Sequence, residues 1–169
     1  MDTILFLARH GETVDNVRQL MQGQTQGQLT DEGVRQAKQL AEQFAGQPID
    51  AVVSSDLHRA IQTARFVAKP HGLALDTTPL LRERDWGSFT GRYIPDLKDA
   101  RWPDDIETQE ALLRRAGLFL DFIREKYAGQ RVFAVGHGII NKAVQAVFYQ
   151  KPMREVARMI NCEVRMLVL

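Results

Sequence analysis

Five short apolar runs punctuate the chain, and between them apolar residues recur every three or four positions. The first run, Ile4-Leu5-Phe6-Leu7-Ala8, is continuous, as in a strand buried on both faces of a sheet. Ala51-Val52-Val53 is the second and ends at Ser54-Ser55-Asp56. Leu73 to Thr77 is the third and is more mixed in polarity. Val132-Phe133-Ala134-Val135 is the fourth and stops at Gly136-His137-Gly138. Val164 to Leu169 reads as a last strand.

The intervening stretches predict helices. Thr30 is placed to cap one, with Asp31 and Glu32 in its first turn and Gly46 at its end. Its inward positions are Val34, Ala37, Leu40, Ala41 and Phe44. Asp56 or Ser55 is expected to cap a second, with Ala60, Ala64 and Val67 inward. Leu112, Ala116, Phe119, Leu120 and Ile123 predict a longer helix that stops at Gly129. A fourth follows His137, turns Ile140, Ala143, Val144 and Val147 inward, and runs until Pro152. Strand and helix in alternation imply βαβ units. The expected fold is α/β with three layers: a largely parallel central sheet with helices on both faces. The stretch from Gly91 to Asp105 is polar and holds Pro95 and Pro103. It reads as an excursion over the surface, so residues 1–169 are expected to form one domain.

Composition narrows the partners. At 169 residues, 44% apolar and 25% charged, the chain is neither disordered nor collagen-like. It is long enough to bury a core without a disulfide or a metal. No apolar run approaches the ~20 residues of a spanning helix, so no membrane partner is expected. A net charge of +1 gives no bulk electrostatic case for nucleic acid. The single cysteine, Cys162, excludes an intramolecular disulfide and a Cys-rich zinc site. The N-terminus passes almost at once into a strand, without a basic segment and a cleavable apolar stretch, which points to the cytoplasm.

In open α/β sheets ligands bind beyond the carboxyl ends of strands. After the first strand comes Arg9-His10-Gly11-Glu12-Thr13, after the second Ser54-Ser55-Asp56-Leu57-His58-Arg59, and after the fourth Gly136-His137-Gly138. Leu81-Arg82-Glu83-Arg84-Asp85 adds carboxylates in a loop before Trp86-Gly87. Two arginines and two histidines on one rim favour a dianion, because guanidinium forks match phosphate oxygens. A neutral imidazole can attack phosphorus if its other nitrogen donates to a fixed acceptor. The glycines beside each histidine let backbone approach closely. A leaving alkoxide needs a proton, which a carboxylic acid can supply. This is the chemistry of phosphoryl transfer without a metal or other cofactor. Taken singly, His10 or His137 would read as a structural histidine; their joint placement at strand ends argues otherwise.

These runs resemble the signature of the histidine phosphatase superfamily, the phosphoglycerate-mutase-like fold. Arg9 to Thr13 is similar to its first motif, Ser54 to Ala64 to its second, Leu81-Arg82-Glu83 with Trp86-Gly87 and Gly91 to its third, and Gly136-His137-Gly138 to its fourth. Leu29 to Gly33 with Gln36-Ala37 also follows the family pattern. The resemblance implies that His10 is the nucleophile that becomes phosphohistidine. It implies that Arg9, Arg59 and His137 line the phosphate pocket, and that Asn16 contacts phosphate. Glu83 would be the general acid and later the base, with Asp85 the rival carboxylate. Arg115, eight residues after Glu107, is similar in placement to a family arginine, which makes it a candidate substrate contact; the simpler reading of the Glu107–Arg115 stretch is a helix start with a solvated face. Trp86 and Trp102 would flank the substrate or pack, His58 is expected to be solvated, His71 to sit in a turn, and Cys162 to be buried.

The sequence departs from the family pattern at Phe89-Thr90-Gly91, where Trp-Glu-Gly is common; this puts substrate contacts near Thr90 in question. The chain ends right after its last strand, whereas family mutases tend to be longer. The expected function is therefore a metal-independent histidine-type phosphomonoesterase acting on a small phosphate ester, with α-ribazole 5'-phosphate and sugar phosphates as the nearest substrates by resemblance. The alternatives are a phosphoglycerate mutase and a phosphoprotein- or phosphohistidine-directed regulator. Retention of Glu83 argues against the regulator, because an alcohol leaving group needs an acid more than a phosphoramidate does.

Overall fold

Alternating apolar side chains give each central strand two buried faces, and the fold follows from covering both. The computed structural model describes residues 1–169. Its strands are β1 (Ile4–Arg9), β2 (Ala51–Ser55), β3 (Leu75–Thr78), β4 (Arg131–Gly136) and β5 (Val164–Val168). Its helices are α1 (Val14–Arg18), α2 (Asp31–Phe44), α3 (His58–Ala68), α4 (Gln109–Lys126) and α5 (Gly138–Tyr149). The strands form one sheet in the order β3-β2-β4-β1-β5. All neighbours are parallel except β5, which runs antiparallel to β1. The α/β architecture with a largely parallel sheet is as expected.

Leu5 and Leu7 face a core shared with α4 and α5, through Leu112, Phe119 and Ile140. Phe6 and Ala8, one position out of phase, face a second core with α2 and α3, through Leu40, Ala60 and Ala64. The period of two therefore divides one strand between two layers. Register then fixes the site: Ala8 pairs with Val135 and Arg9 with Gly136. His10 donates its amide to the Gly136 carbonyl at 3.1 Å, so His10 and His137 leave adjacent strands at one level.

Several local expectations need correction. β3 begins at Leu75, not Leu73, and lies at a half-buried edge. α2 ends at Phe44 with Ala45 still helical, so Gly46 is not the terminating residue. α3 starts after Leu57 and has no side-chain cap. Asp56 instead pairs with Arg82 through two bonds of 2.7 Å, which hold its carboxyl below the usual range. The Gly91–Asp105 stretch is more than a polar excursion. Phe89, Leu97 and Ile106 form a small core of their own, against which Trp86 and Met21 pack.

Candidate active site

At the end of β1, the backbone sets the chemistry of His10. Nδ1 lies 2.7 Å from the Gly11 carbonyl, which can only accept, so Nδ1 carries the proton. Nε2 keeps a free lone pair. Burial, then the nearby Arg59 and Arg9, push the ring well below its usual pKa, so it is neutral near pH 7. Gly11 donates its amide to Thr63 Oγ1 at 3.0 Å. The glycine is needed less for a ligand than for the neighbouring loop: a Cβ there would lie 2.7 Å from the Gly33 carbonyl oxygen.

His137 ends β4 with its ring centroid 5.1 Å from that of His10. Its Nε2 is 2.8 Å from Ser55 Oγ, at the end of β2. The Leu57 amide already donates to that oxygen, so the hydroxyl proton is free to donate to Nε2. Nδ1 then carries the ring proton, and it has no partner. Burial, Arg59 and His10 hold this ring neutral as well.

Two buried arginines complete the rim. Arg9 donates from Nη1 to the Met159 carbonyl at 2.7 Å. Arg59 donates to the carbonyls of Gly23, at 2.8 Å, and Thr25. The Nε atom of each is buried and unpartnered. Burial lowers the Arg59 pKa to about 10, which leaves it charged at neutral pH. Burial also lowers that of Arg9, with Arg158 adding to the effect.

Glu83 reaches the same place from the loop after β3. Its Oε1 accepts from the amides of Arg84 at 2.8 Å and Ile140 at 3.0 Å. Its Oε2 accepts from Ile139 at 3.1 Å. The Ile139 and Ile140 amides open α5, so the carboxyl group sits on the positive end of that helix. A Cβ on Gly138 would lie 3.6 Å from Arg9 Nε and 3.8 Å from Glu83 Oε2, so both converge over that residue. Asp85 is exposed and accepts from the Gly87 amide at 2.9 Å; it does not line the site.

Arg115 does not line the cavity either. It pairs with Glu107 at 3.0 and 2.8 Å and donates to the carbonyls of Leu80, Arg82 and Glu83. Its role is to hold the loop that carries Glu83. The Glu107–Arg115 stretch is the expected helix start, with Thr108, Gln109, Glu110 and Arg114 exposed, but Glu107 and Arg115 themselves are only 14% and 17% exposed.

A cavity of about 240 Å³ opens here, lined by Arg9, His10, Asn16, Arg59 and Glu83 among others. His137, expected in its lining, is fully buried and does not line it, although its ring packs against that of His10. Asn16 Oδ1 accepts from the Thr13 amide, closing a capping box on α1. The cavity has two further walls, and of their residues the motifs pointed only to Trp86. One is apolar: Leu20, Met21, Trp86 and Ile94. The other carries Lys142 and Arg158. Trp86 also stacks edge-on against Trp102, 5.6 Å between centroids. Thr90 does not line the cavity. His58 is exposed. His71 bonds the Val67 and Gln47 carbonyls at a turn. Cys162 is half-buried rather than fully so, and burial raises its thiol pKa to about 12. No group of three or more His, Cys, Asp or Glu side chains is arranged to hold a metal ion, and no helix is long and apolar enough to cross a membrane.

Residues 5–169 match the sequence model of the histidine phosphatase superfamily (branch 1). A protein of Yersinia pestis (strain Pestoides F) named probable phosphoglycerate mutase GpmB is 36% identical over 149 residues, covering 80% of this chain and 69% of that one. Among solved structures, a putative alpha-ribazole-5'-P phosphatase from Escherichia coli superposes with a TM-score of 0.90 at 26% identity, covering 99% of this chain and 91% of the other. A mycobacterial glucosyl-3-phosphoglycerate phosphatase superposes with a TM-score of 0.84 at 25% identity, covering 98% and 90%.

Proposed function

This chain belongs to branch 1 of the histidine phosphatase superfamily, and we propose that it is an enzyme that hydrolyses a small phosphate monoester through a phosphohistidine on His10. The observation that carries this reading is the set of buried, unpartnered nitrogens around a neutral His10: Arg9 Nε, Arg59 Nε and His137 Nδ1. Buried donors without partners cost about 1–3 kcal/mol each, a cost that a phosphoryl group lying among them would remove.

In the first half-reaction His10 Nε2 attacks phosphorus, forming the P–N bond as the P–O bond to the alcohol breaks. Arg9, Arg59 and His137 donate to the equatorial oxygens, where charge gathers. Glu83, as the acid, gives its proton to the leaving oxygen. Oε2 suits this task, with one amide donor against two on Oε1. In the second half-reaction the Glu83 carboxylate takes a proton from water, whose oxygen attacks phosphorus. The P–N bond breaks, and inorganic phosphate leaves with Glu83 again protonated. The arginines supply the positive charge, so no metal takes part. Asn16 offers its amide nitrogen to the phosphate from the cavity wall. We place this activity in the cytoplasm.

The test is a rapid quench with EDTA present, following acid-labile phosphate on the protein. His10→Ala is expected to abolish both labelling and turnover. Glu83→Gln is expected to slow an alkyl ester about 10²–10⁴-fold. With p-nitrophenyl phosphate, whose phenolate leaves unaided, it should instead accumulate phosphoenzyme. Activity lost in EDTA and restored by a divalent ion, or no covalent phosphate in any variant, would overturn the reading. A second reading, phosphoryl transfer within phosphoglycerate, is favoured by the 36% identical relative named as a probable mutase. It predicts isomerised phosphoglycerate in place of inorganic phosphate.

A further inference from the structure

The backbone carbonyl of His10 is held by a side chain that the mechanism leaves unused. The chain enters β5 through a turn at Asn161 and Cys162, closed by the Glu163 amide on the Ile160 carbonyl at 3.1 Å. Cys162 takes a positive φ of 59° there, and its amide reaches back to the carbonyls of Arg9 at 3.0 Å and His10 at 3.3 Å. The Asn161 side chain adds to this grip. Its Nδ2 donates to the His10 carbonyl at 3.0 Å and to Asn16 Oδ1 at 3.4 Å. Asn161 does not line the cavity that holds His10 and Glu83. It lines a separate one of about 160 Å³, with Gln36, Gln39 and Gln43 of α2.

Donor and acceptor rules orient both amides of this cluster. The His10 carbonyl can only accept, so the Asn161 atom facing it is the nitrogen. The Thr13 amide can only donate, so the Asn16 atom 3.1 Å from it is the oxygen. Asn161 Nδ2 shares that oxygen, which turns the Asn16 nitrogen away from both donors and leaves it free for a ligand in the cavity that Asn16 lines. The peptide between His10 and Gly11 is pinned on both sides. Asn161 and Cys162 hold its oxygen, and Thr63 Oγ1 accepts its N–H at 3.0 Å. The Gly11 carbonyl in turn orients the His10 ring. Asn161 thus reaches the nucleophile through one peptide and the phosphate contact through one oxygen.

We infer that Asn161 is a positioning residue for both His10 and Asn16, acting on the reaction without lining the cavity. The inference rests on the phosphomonoesterase reading, and its test separates the two. Asn161→Ala deletes the shared donor. Asn161→Asp keeps the shape but sets carboxylate oxygens against the His10 carbonyl and Asn16 Oδ1, acceptor facing acceptor. Only the protonated carboxyl can donate as the amide does, and these neighbours favour that form. The other groups around the position add little titration of their own near neutral pH. Glu163 pairs with Arg165 at 2.9 Å, α2 presents glutamines, His10 is neutral and the Cys162 thiol titrates at about 12.

The experiment measures the Kd of inorganic phosphate by calorimetry and kcat and KM for p-nitrophenyl phosphate, with urea unfolding to establish that each variant is folded. Asn161→Ala is expected to lower kcat about 10- to 100-fold, as a displaced nucleophile does, and to weaken phosphate about tenfold, the worth of one hydrogen bond to an anion. In an Asn16→Ala background the phosphate effect of Asn161→Ala should vanish and the kcat effect remain. For Asn161→Asp, kcat relative to native should be lowest at about pH 8 and recover towards about pH 6 as the carboxyl gains its proton. A residue that only stabilised the turn would show neither the recovery nor the dependence on Asn16. Native kcat and Kd in folded Asn161→Ala, or a phosphate loss that persists without Asn16, would overturn the inference. If Asn161→Ala does not fold, Asn161→Asp decides, and a ratio flat with pH would overturn it. A native protein that leaves p-nitrophenyl phosphate intact would overturn the phosphatase reading itself. The phosphate Kd then decides on Asn161 alone: weakened binding in the variant supports its role, and equal binding overturns it.

Discussion

Arg115 never touches the cavity, yet its removal should be felt there. Its guanidinium bonds both oxygens of Glu107 and the carbonyls of Leu80, Arg82 and Glu83. Arg115→Met keeps most of the stem and deletes every donor. The Glu107 carboxylate, 14% exposed, then loses its cation, and three loop carbonyls lose a partner. Breaking a buried ion pair costs about 3–5 kcal/mol, and partial exposure brings the value here to about 2–4. In a domain of this size the melting temperature should drop by about 5–12 °C. The loop that holds Glu83 loosens with it, and a misplaced group costs roughly 100-fold in rate for about 1 Å of error. The assay is kcat/KM, below the melting transition, for glycerol 3-phosphate and p-nitrophenyl phosphate. The alkyl ester should lose most, because only its leaving group needs the acid. Arg115→Lys keeps the charge without the fork, so it should recover part of the stability and little of the alkyl-ester rate. Equal losses on both substrates without a change in melting would refute the argument and move Arg115 to the phosphate.

Two further outcomes follow from burial and from close backbone approach. His10 and His137 titrate well below the usual 6.5 in the folded protein, so the unfolded chain binds protons first as pH falls. Stability should be fully present above pH 6.5 and should fall by up to about 1.4 kcal/mol per pH unit for each ring below it, until the folded rings titrate. Urea unfolding at pH 7.5 and 5.5 measures this, and His137→Asn should flatten the slope; an unchanged slope would remove the neutral-ring assignment. Separately, a Cβ on Gly33 would stand 2.1 Å from the Glu12 carbonyl oxygen. Gly33→Ala should therefore cost about 1–3 kcal/mol in urea unfolding, as overpacking does, and lower kcat by shifting the loop after His10; native values for both would show that the loop yields freely.

Strands β1, β2 and β4 were legible because two-sided burial demands continuous apolar residues there; β5, an edge strand that buries only Leu167, was legible from its largely apolar composition. β3 was less so: as an edge strand with Leu75 half-buried and Thr77 exposed, it carries little pattern. α1 buries no residue and is held by the Thr13–Asn16 capping box, so no periodicity announces it. The antiparallel sense of β5 depends on the 153–163 return, which no local signal fixes. The residues at the strand ends, His10, Arg59 and His137, could be found because motifs sit where strands stop. Lys142 could not, since within α5 it reads as one polar position in an apolar helix. Arg158 lies in irregular backbone before β5, and the neighbouring Met159 is held to α5 by Asn141 and Gln145. Arg115 was picked out by spacing, but its carbonyl partners belong to a loop 32 to 35 residues away in sequence.

The sheet order has a consequence for how such proteins diversify. His10, Ser55 with Arg59, and His137 all hang from β1, β2 and β4, three neighbouring strands in the middle of the sheet. The walls that meet the rest of a ligand come largely from elsewhere. Trp86 and Ile94 belong to a segment with its own small core, and Arg158 to the turn before an edge strand. Changes in those segments alter the shape and charge of the cavity mouth without moving the strands that position His10, Arg59 and His137, although Glu83 shares the loop that leads to Trp86. Selection can therefore revise what is recognised while the nucleophile and the phosphate-binding groups keep their places on the central strands.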